Sequence, residues 1–367
     1  MTPNTRATFE ELRPRIEELL EAKDYTALEL LLREQHPADI ADFLELIGDE
    51  HLVAVFNQLD EEVAAEVLDE IGDEETRDLM EALSDEKIAD LLETLPSDDA
   101  AALLSDLSDE QAEIVINLME PEEAAEVKTL LAYEDGTAGR LMNTSIIRLR
   151  ADWTVQKPLD HLREVPEEER GLSYLYVING GGRLEGIVPL WKLMTARPET
   201  HLKDLLETQV VTVDVTTDQE EVARVVSQYD YFAIPVVDVE RRLLGVVTHD
   251  DVLDILQDEF TEDVQRLGGA EPLEGSYLST PVFTVTRKRV GWLLVLFATE
   301  MLTGSVMRIF ESELEEAVAL AFFIPLMIGT GGNSGSQATS TIIRALAVGE
   351  ARFEDLARLV WHELRVG

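Results

Sequence analysis

Large apolar residues return every twelve positions through the first third of the chain. They are Leu59, Ile71, Leu83, Leu95, Leu107, Met119 and Leu131. Each interval opens with acids and Ser, Asp or Pro, which suit a helix N-terminus, and continues with apolar residues three and four positions apart. The pattern predicts short helices. A unit this small cannot bury its own apolar face, so the helices are expected to stack into a superhelix.

The middle of the chain contains two segments with the same layout, residues 174–194 and 233–253. Ten positions separate Tyr176 from Gly186, and ten separate Pro235 from Gly245. Each segment reads as a strand, a turn, a second strand and the start of a helix, and a further strand and helix precede it. We therefore predict two tandem β-α-β-β-α units. The second segment resembles a CBS domain and the tandem resembles a CBS pair, which implies nucleotide or metal binding between the copies.

Two apolar segments follow near the C-terminal end. Residues 290–310 hold one acid and are long enough to cross a bilayer, and a second segment spans about 317–348. Basic residues precede the first segment at 287–289 and lie within and after the second, whereas the connecting loop is acidic. The positive-inside rule then predicts that the N-terminal domains and the C-terminal residues are cytoplasmic.

The second apolar segment contains the polar stretch GTGGNSGSQ, residues 329–337. A phosphate loop is disfavoured, because no strand precedes the stretch and no Lys-Ser/Thr pair closes it. Gly331 and Gly335 have the spacing of a close helix-packing face. Alternatively, Pro325 and the glycines loosen the helix, and neutral side-chain oxygens line a pore. The residues themselves leave packing and pore lining both open.

Charge is distributed unevenly along the chain. The net charge is −45, and residues 1–135 alone carry 40 acids and 8 bases, a net −32. Such a field repels nucleic acid and attracts cations. The acidic surface is either a solubility shell, as in a salt-loving organism, or a cation sensor. There is no cysteine, which excludes disulfides and thiolate chemistry. We also find no nucleophile–base set or His-rich metal cluster, so an enzyme is not expected.

The order of these features is similar to that of the MgtE family of magnesium channels. TAGRLM at residues 137–142 and Pro325 followed by GTGGNSGSQ look like family signatures. The resemblance implies an all-α superhelical N domain, an α/β tandem CBS pair and an α-helical transmembrane segment. It also implies a homodimer in the lipid bilayer of the cell membrane, with a pore at the dimer axis and Mg²⁺ as ligand. The predicted boundaries are 1–135, 136–205 and 206–257 for the N domain and the CBS copies, 258–286 for a connecting helix, and 287–367 for the membrane part.

Site residues carry over from the family motifs position by position. The expected metal ligands are Asp98, Asp99, Asp218, Glu220, Asp230, Asp251, Asp254, Glu262 and Asp263. Ala102 stands where an aspartate is common, which is expected to weaken the ion bridge from the N domain. The expected pore-lining residues are Gly329, Gly331, Gly332, Asn333, Ser336 and Gln337. For any single acid, the alternative is an ordinary solvated surface charge.

ATP is the remaining ligand that the resemblance raises. In CBS copies a Thr/Ser-x-x-Asp motif typically holds ribose and phosphate, and copy two keeps it as Thr248 and Asp251, near Tyr231. Copy one has Pro189 and Lys192 instead, which counts against ATP binding there.

The resulting hypothesis is a magnesium channel subunit gated by cytosolic Mg²⁺ that binds between the N domain and the CBS pair. The alternative is a membrane-anchored sensor of Mg²⁺ or nucleotide that does not conduct. The family resembles a five-helix membrane domain, and two membrane helices are predicted here. We therefore expect the sequence to be an incomplete form.

Overall fold

The computed structural model describes residues 14–366 apart from 17, 21, 34, 48, 165–173, 274–279, 313–321, 348–350 and 352. Two compact units are present, Met1–Gln257 and Asp258–Gly367.

The first unit begins with a helical superhelix. Its helices are α1 (Tyr25–Leu32), α2 (Pro37–Ile47), α3 (Asp49–Phe56), α4 (Glu61–Glu70), α5 (Asp73–Ala82), α6 (Asp85–Thr94), α7 (Ser97–Ser105), α8 (Asp109–Leu118) and α9 (Pro121–Leu131). From α4 to α9 every helix starts twelve residues after the previous one, which confirms the predicted repeat. Most of the contacts join helices two apart, such as α4 with α6 and α6 with α8. Each short helix thus buries its apolar face against neighbours on both sides.

Two helix starts show why the acidic, serine-containing turns fit this repeat. The hydroxyls of Ser84 and Ser108 accept hydrogen bonds of 3.3 Å from the backbone N–H groups of Lys87 and Gln111. These bonds satisfy donors that the first turn of a helix leaves without a backbone partner.

The two predicted β-α-β-β-α units follow. Copy one contains β1 (Arg148–Leu149), α11 (Gln156–Glu164), β2 (Tyr174–Ile178), β3 (Leu184–Pro189) and α12 (Leu190–Thr195). Copy two contains β4 (Val213–Asp214), α13 (Gln219–Tyr229), β5 (Ala233–Val237), β6 (Leu243–Thr248) and α14 (His249–Leu267). In each three-stranded sheet the first strand is parallel to the second, and the second is antiparallel to the third.

One glycine in the third strand of each copy allows another segment of the chain to pass close by. In each case that segment is the one that precedes the first strand of the other copy. A Cβ on Gly245 would lie 2.6 Å from the carbonyl oxygen of Asn143, and a Cβ on Gly186 would lie 2.3 Å from that of Glu207. Backbone hydrogen bonds join Asn143 to Val246 in β6, and others join Glu207 to β3. Only glycine permits so close an approach of two backbones.

The hydrophobic core of the superhelix continues into copy two. One buried cluster runs from the N-terminal helices through Ala138 and Met142 to Val222 and Val252. Between them lies α10 (Ala138–Leu141), whose buried Arg140 donates hydrogen bonds to the carbonyl of Ala101, at 3.1 Å, and to the hydroxyl of Ser105. In this arrangement the superhelix and copy two therefore pack directly against each other.

The second unit contains α15 (Val282–Ile309), α16 (Phe323–Ala347) and α17 (Leu356–Val366). Among the described residues, α15 is the one helix that is long and apolar enough to cross a membrane. The predicted acidic loop after it falls largely on residues 313–321, outside the described chain. Helix α16 runs through Pro325 and the glycine-rich stretch without interruption. The expected loosening is absent, because Pro325 lies in the first turn, where a missing N–H costs no helical hydrogen bond.

Helix boundaries differ from the predicted domain boundaries in two places. Helix α14 runs from His249 to Leu267, as the acidic sequence there indicates, so the predicted boundary between residues 257 and 258 falls inside this helix. Helix α15 begins at Val282 and includes the basic residues 287–289, which the sequence placed before the membrane segment.

Candidate metal centre

Two helix N-termini carry the acids that come together in the first unit. Asp98 and Asp99 lie in the first turn of α7, which starts at Ser97 after Pro96. Asp251 lies in the first turn of α14, which begins where strand β6 ends. Carboxylates are favoured at such positions because they face free N–H groups and the positive end of the helix dipole.

Carboxylate oxygens of Asp98, Asp99 and Asp251 lie within 4.8 Å of one another. Asp98 is 8% exposed, and its Oδ1 is buried without a hydrogen-bond partner. Asp99 and Asp251 are half-buried. A buried carboxylate oxygen without a donor is costly unless a cation or a proton compensates it. Mg²⁺ binds hard oxygen donors, usually one or two carboxylates together with several waters, and the three aspartates can supply such a set.

A cavity of about 910 Å³ opens beside the three aspartates. Further acids line it, among them Glu61, Glu62, Glu93, Glu123 and Glu126, and no lysine or arginine of the described chain does. The cavity therefore has room for a hydrated cation and a strongly negative lining that would attract one.

The pKa values of all three carboxyl groups are raised, first by burial and then by neighbouring carboxylates. Burial raises the pKa of Asp98 well above its usual range, and Asp251 raises it further. Burial and Asp98 raise the pKa of Asp99 to about 9. Burial also raises the pKa of Asp251, while hydrogen bonds from Thr248 lower it part of the way. A divalent cation would replace the protons that these groups otherwise hold.

The sequence did not single out Asp69 at the end of α4. Desolvation by the surrounding protein, then Glu70, Asp251 and Asp254, raise the pKa of Asp69 to about 6. Asp69 and the predicted Asp254 therefore belong to the same negative field as the three aspartates. No motif marks Asp69, since its twelve-residue unit resembles the others; only the packing of α4 near α14 distinguishes it.

Other predicted ligands are not members of the Asp98–Asp99–Asp251 grouping. Asp218 caps α13, its Oδ1 accepting from the N–H of Glu220 at 3.0 Å. Asp230 ends the same helix in the left-handed conformation, with φ of 52°. The predicted ligands Asp218, Glu220 and Asp230 are all exposed. Glu262 and Asp263 belong to the second unit, where Glu262 pairs with Arg266. Among the described residues, the grouping that could hold a metal contains Asp98, Asp99 and Asp251.

The predicted nucleotide residues have other partners. Thr248 donates to Asp251, so the copy-two motif contributes to the carboxylate cluster. Tyr231 stacks on Tyr229 with ring centroids 6.0 Å apart. In copy one, Lys192 pairs with Glu207 at 2.6 Å. The predicted pore residues Gly329, Gly331, Gly332, Asn333, Ser336 and Gln337 lie on α16 in the second unit.

The fold combines a helical-repeat domain, two tandem β-α-β-β-α units and a helix, α15, that is long and apolar enough to cross a membrane. Three family models match the chain: the MgtE intracellular N domain over residues 35–136, the CBS domain over 138–199 and 202–258, and the divalent cation transporter family called MgtE over 324–367. The cytosolic domain of the Mg²⁺ channel MgtE, solved in complex with ATP, is similar at 36% identity and a TM-score of 0.63. The match covers 65% of this chain and 98% of that one. The chain belongs to the MgtE family, which confirms the resemblance.

Curated relatives also indicate the MgtE family. The chain is 41% identical over 240 residues to the magnesium transporter MgtE of Thermus thermophilus, covering 65% of this chain and 53% of the relative. It is 34% identical over 236 residues to that of Bacillus subtilis, covering 64% and 52%. The chain spans about half the length of these relatives. Family membership places it in the cell membrane, with the N domain and the CBS pair on the cytosolic side.

Proposed function

We propose that this chain is a subunit of a magnesium channel and that Mg²⁺ bound between its N domain and CBS copy two regulates conduction. The observation that carries the proposal is the cluster of Asp98, Asp99 and Asp251, contributed by two domains, with a buried and unpartnered oxygen on Asp98. The names of the relatives support Mg²⁺ as the transported ion.

The regulation follows from charge. Without a cation, the carboxylates of α7 and α14 repel one another and favour separation of the two domains. A bound Mg²⁺ bridges them and favours the closed arrangement, so the ion shifts a two-state equilibrium by its higher affinity for one state. Asp251 lies in the first turn of α14, and that helix continues to Leu267 before the chain reaches α15. Helix α14 would transmit the conformational change that Mg²⁺ binding causes toward the pore.

The remaining predicted parts complete this proposal. Asp218, Glu220, Asp230, Asp254, Glu262 and Asp263 are further ligands for regulatory ions, in a homodimer whose α16 helices contribute the pore lining. A nucleotide has no part in the proposed function. Copy one has Lys192 where CBS copies carry the acid that holds ribose, and Lys192 is paired with Glu207.

The sensing step is tested by limited proteolysis of the purified chain in detergent across a Mg²⁺ titration. We expect protection to increase with Mg²⁺ and Asp98→Asn to shift the response to higher Mg²⁺. Glu110→Gln is the matched control, because Glu110 lies one repeat later at the corresponding position and is exposed. Equal responses of the wild type and Asp98→Asn would rule out the assigned cluster.

The transport step needs a separate assay. Expression of the gene that encodes this chain, in cells that lack magnesium import, should restore growth without added Mg²⁺. Membrane expression with protease protection by Mg²⁺ but no growth would instead support the non-conducting sensor.

A further inference from the structure

Residues 143 and 144, here called the strap, lie between the superhelix and CBS copy two. The N–H of Asn143 donates to the carbonyl of Val246 at 2.7 Å, and the N–H of Val246 donates back to the carbonyl of Asn143 at 3.0 Å. The strap is therefore fixed to β6, the strand that leads into Asp251.

The other residue of the strap reaches the superhelix. The N–H of Thr144 donates to Ser97 Oγ at 3.3 Å, and the two hydroxyl oxygens lie 3.0 Å apart. Thr144 Oγ1 also donates to Glu126 Oε2 in α9 at 2.6 Å. Because Thr144 has a single hydroxyl proton and gives it to the Glu126 carboxylate, Ser97 must donate the bond between the hydroxyls. Each proton of this network then has one acceptor.

Ser97 is the first residue of α7, directly before Asp98, and it is buried at 8% exposure. A path of hydrogen bonds and short chain segments thus connects the two halves of the carboxylate cluster. It runs from Asp251 through β6 and the strap to Ser97, which directly precedes Asp98. A hydroxyl network of this kind is unnecessary for packing alone, because two apolar side chains would fill the same space without needing partners.

We propose that Thr144 is a positioning residue for the carboxylate cluster. Through its hydrogen bonds to Ser97 and Glu126, Thr144 holds Asp98 and Asp99 opposite Asp251. This inference rests on the proposed function, since it needs the cluster to bind Mg²⁺. The bare carboxylates repel one another, so a network that resists their separation keeps the ligands arranged before the ion arrives. Preorganised ligands bind more tightly because binding does not have to order them.

The test compares Thr144→Val, which keeps the shape and loses the hydroxyl, with Thr144→Ser, which keeps the hydroxyl. The whole chain in detergent is titrated with MgCl₂, and the midpoint of protease protection is measured beside Tm at zero and saturating Mg²⁺. We expect Thr144→Val to raise the midpoint about fivefold, which corresponds to roughly 1 kcal/mol. Thr144→Ser should stay within about twofold of the wild type, and full protection should return at saturating Mg²⁺ in both.

Ser145→Ala is the matched control, because it removes the next hydroxyl along the chain, which is exposed and outside the network. If Thr144→Val does not fold, Ser97→Ala removes the same link from the other side and carries the same expectation. Two results would overturn the positioning role alone. One is a wild-type midpoint in Thr144→Val or in Ser97→Ala. The other is a shift of the midpoint in Thr144→Ser that is as large as the shift in Thr144→Val. A wild type without any Mg²⁺ response overturns the proposed function and this inference with it.

Discussion

Thr248 donates two hydrogen bonds to one carboxylate oxygen of Asp251, from its backbone N–H at 2.9 Å and from its hydroxyl at 2.5 Å. In a CBS copy these two residues typically serve a nucleotide. Here the pair orients Asp251, whose carboxylate also lies close to those of Asp98 and Asp99 in the superhelix.

Thr248→Val removes the hydroxyl donor and leaves the backbone bond in place. We expect the Mg²⁺ midpoint of protease protection to rise about threefold to tenfold, because Asp251 loses a donor that fixes its orientation. Thr248→Ser should retain the wild-type midpoint. Equal midpoints for the valine and serine variants would show that the hydroxyl has no part in orienting the ligand.

Asp98→Asn should have opposite effects on stability and on metal binding. Without Mg²⁺ it removes a buried carboxyl group whose pKa is raised by burial and by Asp251, and which therefore has to keep a proton in the folded state that the unfolded chain loses, so Tm should rise. With Mg²⁺ it removes one of three ligands, so the affinity should fall about tenfold, roughly 1.4 kcal/mol. Thermal unfolding with and without MgCl₂ measures both effects, and a lower Tm in the absence of Mg²⁺ would contradict the repulsion argument.

Stability of the metal-free protein should fall as pH rises. Asp99 has a pKa of about 9 and Asp69 one of about 6, and both values are raised above those of the unfolded chain. Between an ordinary carboxyl pKa of about 4 and those values, the folded state holds protons that the unfolded state has lost. The free energy of unfolding therefore decreases with pH across that range, while Mg²⁺ affinity increases because fewer protons must be displaced.

Chemical denaturation in EDTA at pH 5, 7 and 8.5, and Mg²⁺ titrations at the same values, check both trends. In the Asp98→Asn/Asp99→Asn double variant, the pH dependence of both quantities should flatten. A metal-free stability that stays constant from pH 5 to 8.5 would contradict the raised pKa values, because it would show that these carboxyl groups are already ionised at pH 5 in the folded protein.

Ala102 offers a gain-of-function test. It is exposed and lies four residues after Asp98 on α7, so a carboxylate introduced there lies on the same helix face. Ala102→Asp should lower the Mg²⁺ midpoint about threefold to tenfold and reduce Tm without Mg²⁺. Ala102→Asn controls for size, and an unchanged midpoint in Ala102→Asp would mean that position 102 does not reach the bound ion.

The helical repeat shows how much of the fold the sequence determined. Its twelve-residue spacing predicted the starts of α4 to α9 because every unit must expose an N-terminal turn and bury one apolar face. The paired glycines, Gly186 and Gly245, likewise marked two equivalent units. The start of α15 was less predictable, because the residues before 290 are also compatible with a helix.

The candidate site was only partly predictable. The family motif named Asp98, Asp99 and Asp251, but an acid-rich surface gives no signal that separates them from Asp218 or Asp230. Asp69, Thr144 and Ser97 carry no motif, and their roles depend on contacts between residues far apart in the chain.

By itself, the sequence determined the order of domains, the periodicity of the helices, the negative charge and the apolar segments, since these depend on local residue patterns. The tertiary structure alone decided which of many acids meet. It brings α7 and α14 together through a shared core and a short strap, and it buries Asp98 Oδ1 without a donor. Burial and proximity, rather than the number of carboxylates, separate a candidate ion site from a solvated charge, because both effects act on the desolvated group.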